Sequence, residues 1–291
     1  MNPRFTTQFA AFSLAAFALF TPQHAPGASV IRMMGGDITP ASITPARDQF
    51  RTDLGGGTTA GVGPGQFGTQ RREINWDGVP ATLSAPNLLT ANFFNTTSAR
   101  GAVFTNIGGA GFEVSSDPAD AGAGQPAAAR FGNINAAYTN TFGLFTAQRL
   151  FTALGSNITD VTFFVPGTNT VASVSGFGAV FTDVETLNGT TLQFFSPTNA
   201  SLGTFSVPVG TVASASLSFL GVSFDAGERV GRVRITSGNA ALGAAVNDNP
   251  AGGVDLVVMD DFIYSEPVPE PSALMLCAAS IAGCLLRRKR S

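Results

Sequence analysis

The sequence is short of the side chains that most catalytic and metal sites use. Its 291 residues include one histidine (His24), one lysine (Lys289), one tryptophan (Trp76) and two cysteines (Cys277 and Cys284). All of these except Trp76 lie before Ala28 or after Glu266. If the two ends are processing segments, the remaining domain has no His, Cys or Lys. Ser-His-Asp and Cys-His nucleophile chemistry, Schiff bases and ordinary zinc sites then lack their required groups. An internal disulfide is excluded on the same ground. What remains for chemistry is carboxylates, arginine, hydroxyls, Tyr138 and Tyr264.

Charge is also scarce, at 12% of residues. Between Ala28 and Glu266 there are 11 Arg against 18 Asp plus Glu, a net of −7. Nucleic-acid binding needs a basic face to neutralise phosphates, so no nucleic-acid partner is expected. The chain is instead rich in Gly (34) and Phe (25), enough aromatic mass for a packed core rather than a disordered chain. Without its ends the domain has roughly 235 residues, a length that single β-sandwiches reach.

The two ends carry routing signals. Met1-Asn2-Pro3-Arg4 precedes an apolar run from Phe9 to Phe20, and Thr21-Pro22 breaks it ahead of small residues. One positive charge, a short apolar stretch and a small-residue exit predict a signal peptide over 1–28, cut between Ala25 and Ser29. At the other end Ser272 to Leu286 carries no charge, and Arg287, Arg288, Lys289 and Arg290 follow at once. Basic residues stay on the cytoplasmic side, so this segment is expected to be a transmembrane helix with its C-terminus inside and the domain outside. Pro269 and Pro271 cannot continue a helix, and they hold the entry to it extended.

The string Val268-Pro269-Glu270-Pro271-Ser272, the short apolar helix and the terminal basic cluster resemble the PEP-CTERM sorting signal of Gram-negative bacteria that make exopolysaccharide. The resemblance covers residues 269–291. It implies recognition by an integral-membrane exosortase through Pro269, Glu270 and Pro271, a transient stay in the inner membrane, and then release or transfer to the cell surface. It says nothing about what the cargo does.

The domain between the ends is predicted to be all-β: an antiparallel, jelly-roll-like β-sandwich over 69–266, preceded by a Gly/Thr/Pro-rich segment over 29–68 and followed by the sorting segment over 267–291. Residues 29–68 read mostly as loop, with a short helix near Pro45 to Leu54. Later, apolar runs with β-branched and aromatic residues alternate with turn signals. Examples are Asp160 to Val165, Gly178 to Val184, Thr191 to Phe195 and Ala215 to Leu220. Arg229 to Ile235 alternates arginines with Val230, Val233 and Ile235, the period-two mark of a half-buried strand. The last strand is placed at Asp255 to Tyr264. The middle of the chain also resembles an uncharacterised family of exosortase-dependent surface proteins. Arg71 to Gly78, Leu154 to Asp160, Gly176 to Asp183 and Met259 to Tyr264 carry that resemblance.

Carboxylates are the only site candidates. Glu73 and Asp77 fall at one predicted terminal strand, and Asp260 and Asp261 on the other. First and last strands of sandwiches often pair, which would gather these oxygens for Ca²⁺; the alternative is solvated or Arg-paired acids. Neighbouring strand residues face opposite ways, so at most one of Asp260 and Asp261 is expected to face inward. Asp183 and Glu185 are spaced for one strand face, as a glycosidase pair would be, or else they cap the turn near Asn188-Gly189. Trp76 is a candidate platform for a sugar ring, or core. The expectation is a non-catalytic envelope or matrix protein associated with exopolysaccharide. The alternatives are a Ca²⁺-dependent carbohydrate-binding module and a carboxylate-based glycan hydrolase.

Overall fold

The computed structural model describes residues 29–56, 71–117 and 129–270. The leader, Pro271, the apolar C-terminal segment and its basic tail lie outside the described residues. Among the described residues no helix is long and apolar enough to cross a membrane.

Among the described residues fourteen strands form two antiparallel sheets. One sheet runs in the order β1 (Ser29–Gly35), β11 (Leu217–Phe224), β8 (Gly176–Thr182), β13 (Val258–Ser265), β5 (Phe151–Leu154) and β4 (Gly111–Val114). The short β2 (Arg71–Ile74) also pairs with β13, placing Glu73 opposite Ile263. The other sheet runs β10 (Ser201–Ser206), β9 (Thr191–Phe195), β12 (Arg232–Thr236), β6 (Ile158–Phe164), β7 (Val171–Ser173) and β14 (Val268–Pro269). There β3 (Ala102–Asn106) pairs with β6. The β class expected from the pattern is present, and the two strands read as first and last, β2 and β13, do pair, although β1 precedes the one and β14 follows the other.

Aromatic rings fill the space between the sheets. Trp76 stacks on Phe151 at 4.0 Å between centroids and meets Phe262 edge-on at 5.1 Å. Phe104, Phe177 and Tyr264 extend the same cluster. On β12 the alternation works as read: Val233 and Ile235 are buried, while Arg232 and Arg234 reach Asp160 of β6 at 3.0 and 2.7 Å.

The first sheet is buried on both faces at its centre, so β8, β11 and β13 show no polar alternation. Its outer face is covered by helix α1 (Thr44–Asp53), whose Phe50 packs on Val180, Phe219 and Ile263. Gly178 and Gly221 are cross-strand partners beneath that ring. A Cβ on Gly221 would lie 2.6 Å from Phe50, so only glycine permits the close seat. The stretch before α1 is not the loop expected. Ser29–Gly35 pairs with β11 along its whole length and forms a sheet edge. Its side chains stay largely exposed, which is why no apolar alternation marked it.

Candidate functional site

Local irregularity in β13 creates the acidic site at the terminal strands. Met259 pairs with Phe181 and Phe262 with Ala179, so three steps on β13 oppose two on β8. The extra residue is a β-bulge, which breaks the period-two rule and re-aims side chains. Asp260 and Asp261 therefore do not point to opposite faces. Both carboxyls reach the Thr146 hydroxyl, each at 3.0 Å. Asp260 also accepts the Phe145 amide at 2.7 Å, and its own carbonyl accepts Trp76 Nε1–H at 2.6 Å.

Both carboxyls are nearly inaccessible, Asp260 at 0% and Asp261 at 3% exposure. Burial, with its neighbour's charge added, raises the Asp260 pKa well above the ordinary carboxylate value. Burial likewise pushes Asp261 up to about 6. A hydroxyl has a single proton to donate, so a protonated carboxyl in this pair completes the bonding around Thr146. Asp77 joins the neighbourhood by accepting the Arg149 amide at 3.1 Å, and its pKa is raised chiefly by burial.

Glu73 stands apart in its partners. It takes two hydrogen bonds from Arg51, at 2.8 and 2.7 Å, and one from Arg71 at 2.5 Å. Its charge is thus answered by arginine. Glu73 and Asp261 share the wall of a pocket of about 240 Å³ with Arg47, Arg51, Arg100, Asn75 and Thr146. Arg100 is the least compensated of these cations. It donates to the Ser98 hydroxyl and lies over the Phe94 ring, and among the described residues it forms no ion pair. Burial lowers its pKa.

Trp76 is 1% exposed and enclosed by Phe94, Phe151 and Phe262. Its faces are occupied, so it serves the core and the Asp260 carbonyl rather than a sugar ring. Pro269 closes β14, opposite Ala172 of β7, and is exposed. Glu270 follows it in the field of Arg229. Pro271, Arg287, Arg288, Lys289 and Arg290 lie outside the described residues.

A second acidic group was only half visible in the sequence. Strand β8 stops at Thr182, and Asp183 takes a left-handed backbone (φ 72°) in place of another strand residue. Its amide donates to the Ser216 carbonyl at 2.8 Å. Asp183, Glu185 and Asp248 each offer a carboxylate oxygen, all within 4.8 Å of one another. Asp255 stands beside them and caps the turn by accepting the Thr186 amide at 2.9 Å. Burial, reinforced by the neighbouring acids, pushes Asp183 up to about 9, and the same causes push Glu185 up to about 8. Asp248 and Asp255 were missed because they sit in and just after the loop over 239–253, with no periodicity to mark them. The arginines of the pocket lie outside any one local pattern for a similar reason: Arg47 and Arg51 come from α1, and Arg100 from the turn before β3.

Fold and site together define an all-β, two-sheet protein with a small arginine-lined pocket and two acidic groups, one around the buried Asp260 and Asp261 and one around the buried Asp183. No family model, curated protein or solved structure matches the chain.

Proposed function

We propose that the chain is a non-catalytic exported surface or matrix protein, delivered by an exosortase through Pro269-Glu270-Pro271 and the segment behind it, whose jelly-roll-like sandwich associates with exopolysaccharide. The observation that carries the routing half is where the sheets end. Pro269 is the last residue of the last described strand, and it is exposed at the edge of its sheet. A proline has no amide hydrogen to give a ladder, so it suits a strand end. Among the described residues, cleavage beyond Pro269 removes no paired strand residue, so the two sheets keep their pairing when the segment behind it is lost.

The pocket lined by Arg47, Arg51, Arg100 and Asn75 supports the glycan half. A guanidinium with no carboxylate of its own matches a sugar carboxylate, and the Asn75 amide and Thr146 hydroxyl match sugar hydroxyls. Binding is favoured over hydrolysis by the state of the acids. Asp183 and Asp260 have no exposed surface to offer a glycosidic oxygen. Fractionating cells with and without the exosortase tests the routing. The unprocessed chain is expected to accumulate in the inner membrane without the enzyme; an unchanged distribution contradicts the proposal.

A further inference from the structure

The group around Asp183 differs from the terminal-strand acids in having nothing to balance it. Glu73 has two arginines, and Asp261 has Arg47 acting on it. The principal charges acting on Asp183 and Glu185 are other carboxylates: Glu185, Asp248 and Asp255 on the first, Asp248 and Asp255 on the second. Among the described residues none of these four forms an ion pair with arginine. Acids gathered away from water without a cation must either repel one another as charges or hold their protons, and each is a cost that a bound cation relieves.

Their hydrogen bonding is also incomplete in a directed way. Asp183 is fully buried, and its Oδ1 accepts the Ala215 amide at 2.9 Å. Its Oδ2 is buried with no hydrogen-bond partner. Glu185 Oε2 and Asp255 Oδ1 are buried and unpartnered too. The other oxygen of Asp255 is held by the Thr186 amide, and Asp248 Oδ1 is held by the Leu256 amide at 2.9 Å. The backbone thus fixes one arm of three carboxylates and leaves unsatisfied oxygens behind. Buried acceptors normally find donors, so several orphans in one place call for a partner that the chain does not supply.

The geometry points to a Ca²⁺ site formed by Asp183, Glu185 and Asp248, with Asp255 beside it. Three ligand oxygens within 4.8 Å of each other match the span across one ion, about twice a Ca–O bond of ~2.4 Å. An all-carboxylate set without His or Cys suits a hard cation and disfavours zinc or copper. The ion ties the turn after β8 to the loop that carries Asp248. The site is separate from the pocket at Arg100, and it stands or falls independently of the sorting signal.

Calorimetric titration of the full chain, purified in detergent and stripped with EDTA, tests this with CaCl₂ as the probe. One Ca²⁺ per chain is expected, with a higher Tm in CaCl₂ than in EDTA. Asp183→Asn and Glu185→Gln should bind at least about tenfold more weakly, because ligand charge sets affinity. Both should lose the calcium-dependent rise in Tm yet melt at or above the wild type in EDTA, since each removes a repulsion. Asp248→Asn, on the half-exposed loop, gives the same test if Asp183→Asn does not fold. No heat and no Tm change in the wild type at millimolar Ca²⁺ would overturn the site. So would a calcium response kept in full by these variants.

Discussion

Arg72 and Glu266 form a buried, two-armed ion pair: Nε and Nη2 of the arginine each lie 2.7 Å from a carboxylate oxygen. The arginine is 0% exposed and the glutamate 4%. The pair joins β2 to the residue just after β13, three positions before Pro269. It therefore anchors the sandwich immediately ahead of the point where the chain is proposed to be cut.

Removing one partner strands the other charge in the interior. Glu266→Gln should cost about 3–5 kcal/mol of folding stability, the usual penalty for breaking a buried pair. Denaturant unfolding measures it, and a loss under about 1 kcal/mol would show that Arg72 finds other compensation.

Phe50 tests how α1 is fixed to the sheet. Gly221→Ala puts a methyl against the ring where only 2.6 Å is free. Overpacking of this kind costs about 1–3 kcal/mol. The same substitution in a Phe50→Ala background should cost much less, because the clash is gone. Equal costs in the two backgrounds would place the strain elsewhere.

Much of this architecture could be read in advance, and the failures share a cause. Val233, Ile235 and Arg234 show the period of two because β12 has one wet and one dry face. The central strand β8 is buried on both faces, so its limits were blurred and Asp183 was placed on a strand it terminates. The bulge at Asp260 and Asp261 is invisible locally, since it depends on how β13 and β8 pair. Ser29–Gly35 escaped notice because its partner β11 is almost 200 residues away. The acids at Glu73 and Asp261 were found from strand order, whereas Asp248 and Arg100 come from loops that only the closed fold brings in.

The Asp260–Asp261 pair predicts a pH dependence. A carboxyl whose pKa is raised on folding keeps its proton in the folded state where the unfolded chain has already lost it. Stability from this source is present near the unfolded value of about 4 and is lost as pH rises through the folded value. For Asp261 that value is about 6. Melting temperature measured in EDTA should fall between pH 5 and 7, and Asp261→Asn should flatten that fall. The difference between the two curves isolates this pair from the Asp183 group. Parallel curves would mean that Asp261 ionises freely.

The pocket makes a prediction about ligand charge. Arg100→Ala should weaken binding to uronate-bearing polysaccharide about tenfold or more, the scale of one charge-assisted contact of ~1.5–3 kcal/mol. Binding to neutral glucans should be unaffected. The measurement is affinity electrophoresis of the released domain in gels containing each polymer. Equal loss on both polymers, or none on either, would remove the pocket from the account.

The most direct measurement of the sorting claim is where the chain goes, and with what C-terminal mass, when residues 269–291 are present or deleted. The intact chain should reach the surface or medium as a species shortened near Pro269-Glu270-Pro271. The deleted chain should miss the inner-membrane stage and escape exosortase-dependent processing. If both forms arrive in the same fraction, and the intact one keeps its basic tail, the account is contradicted.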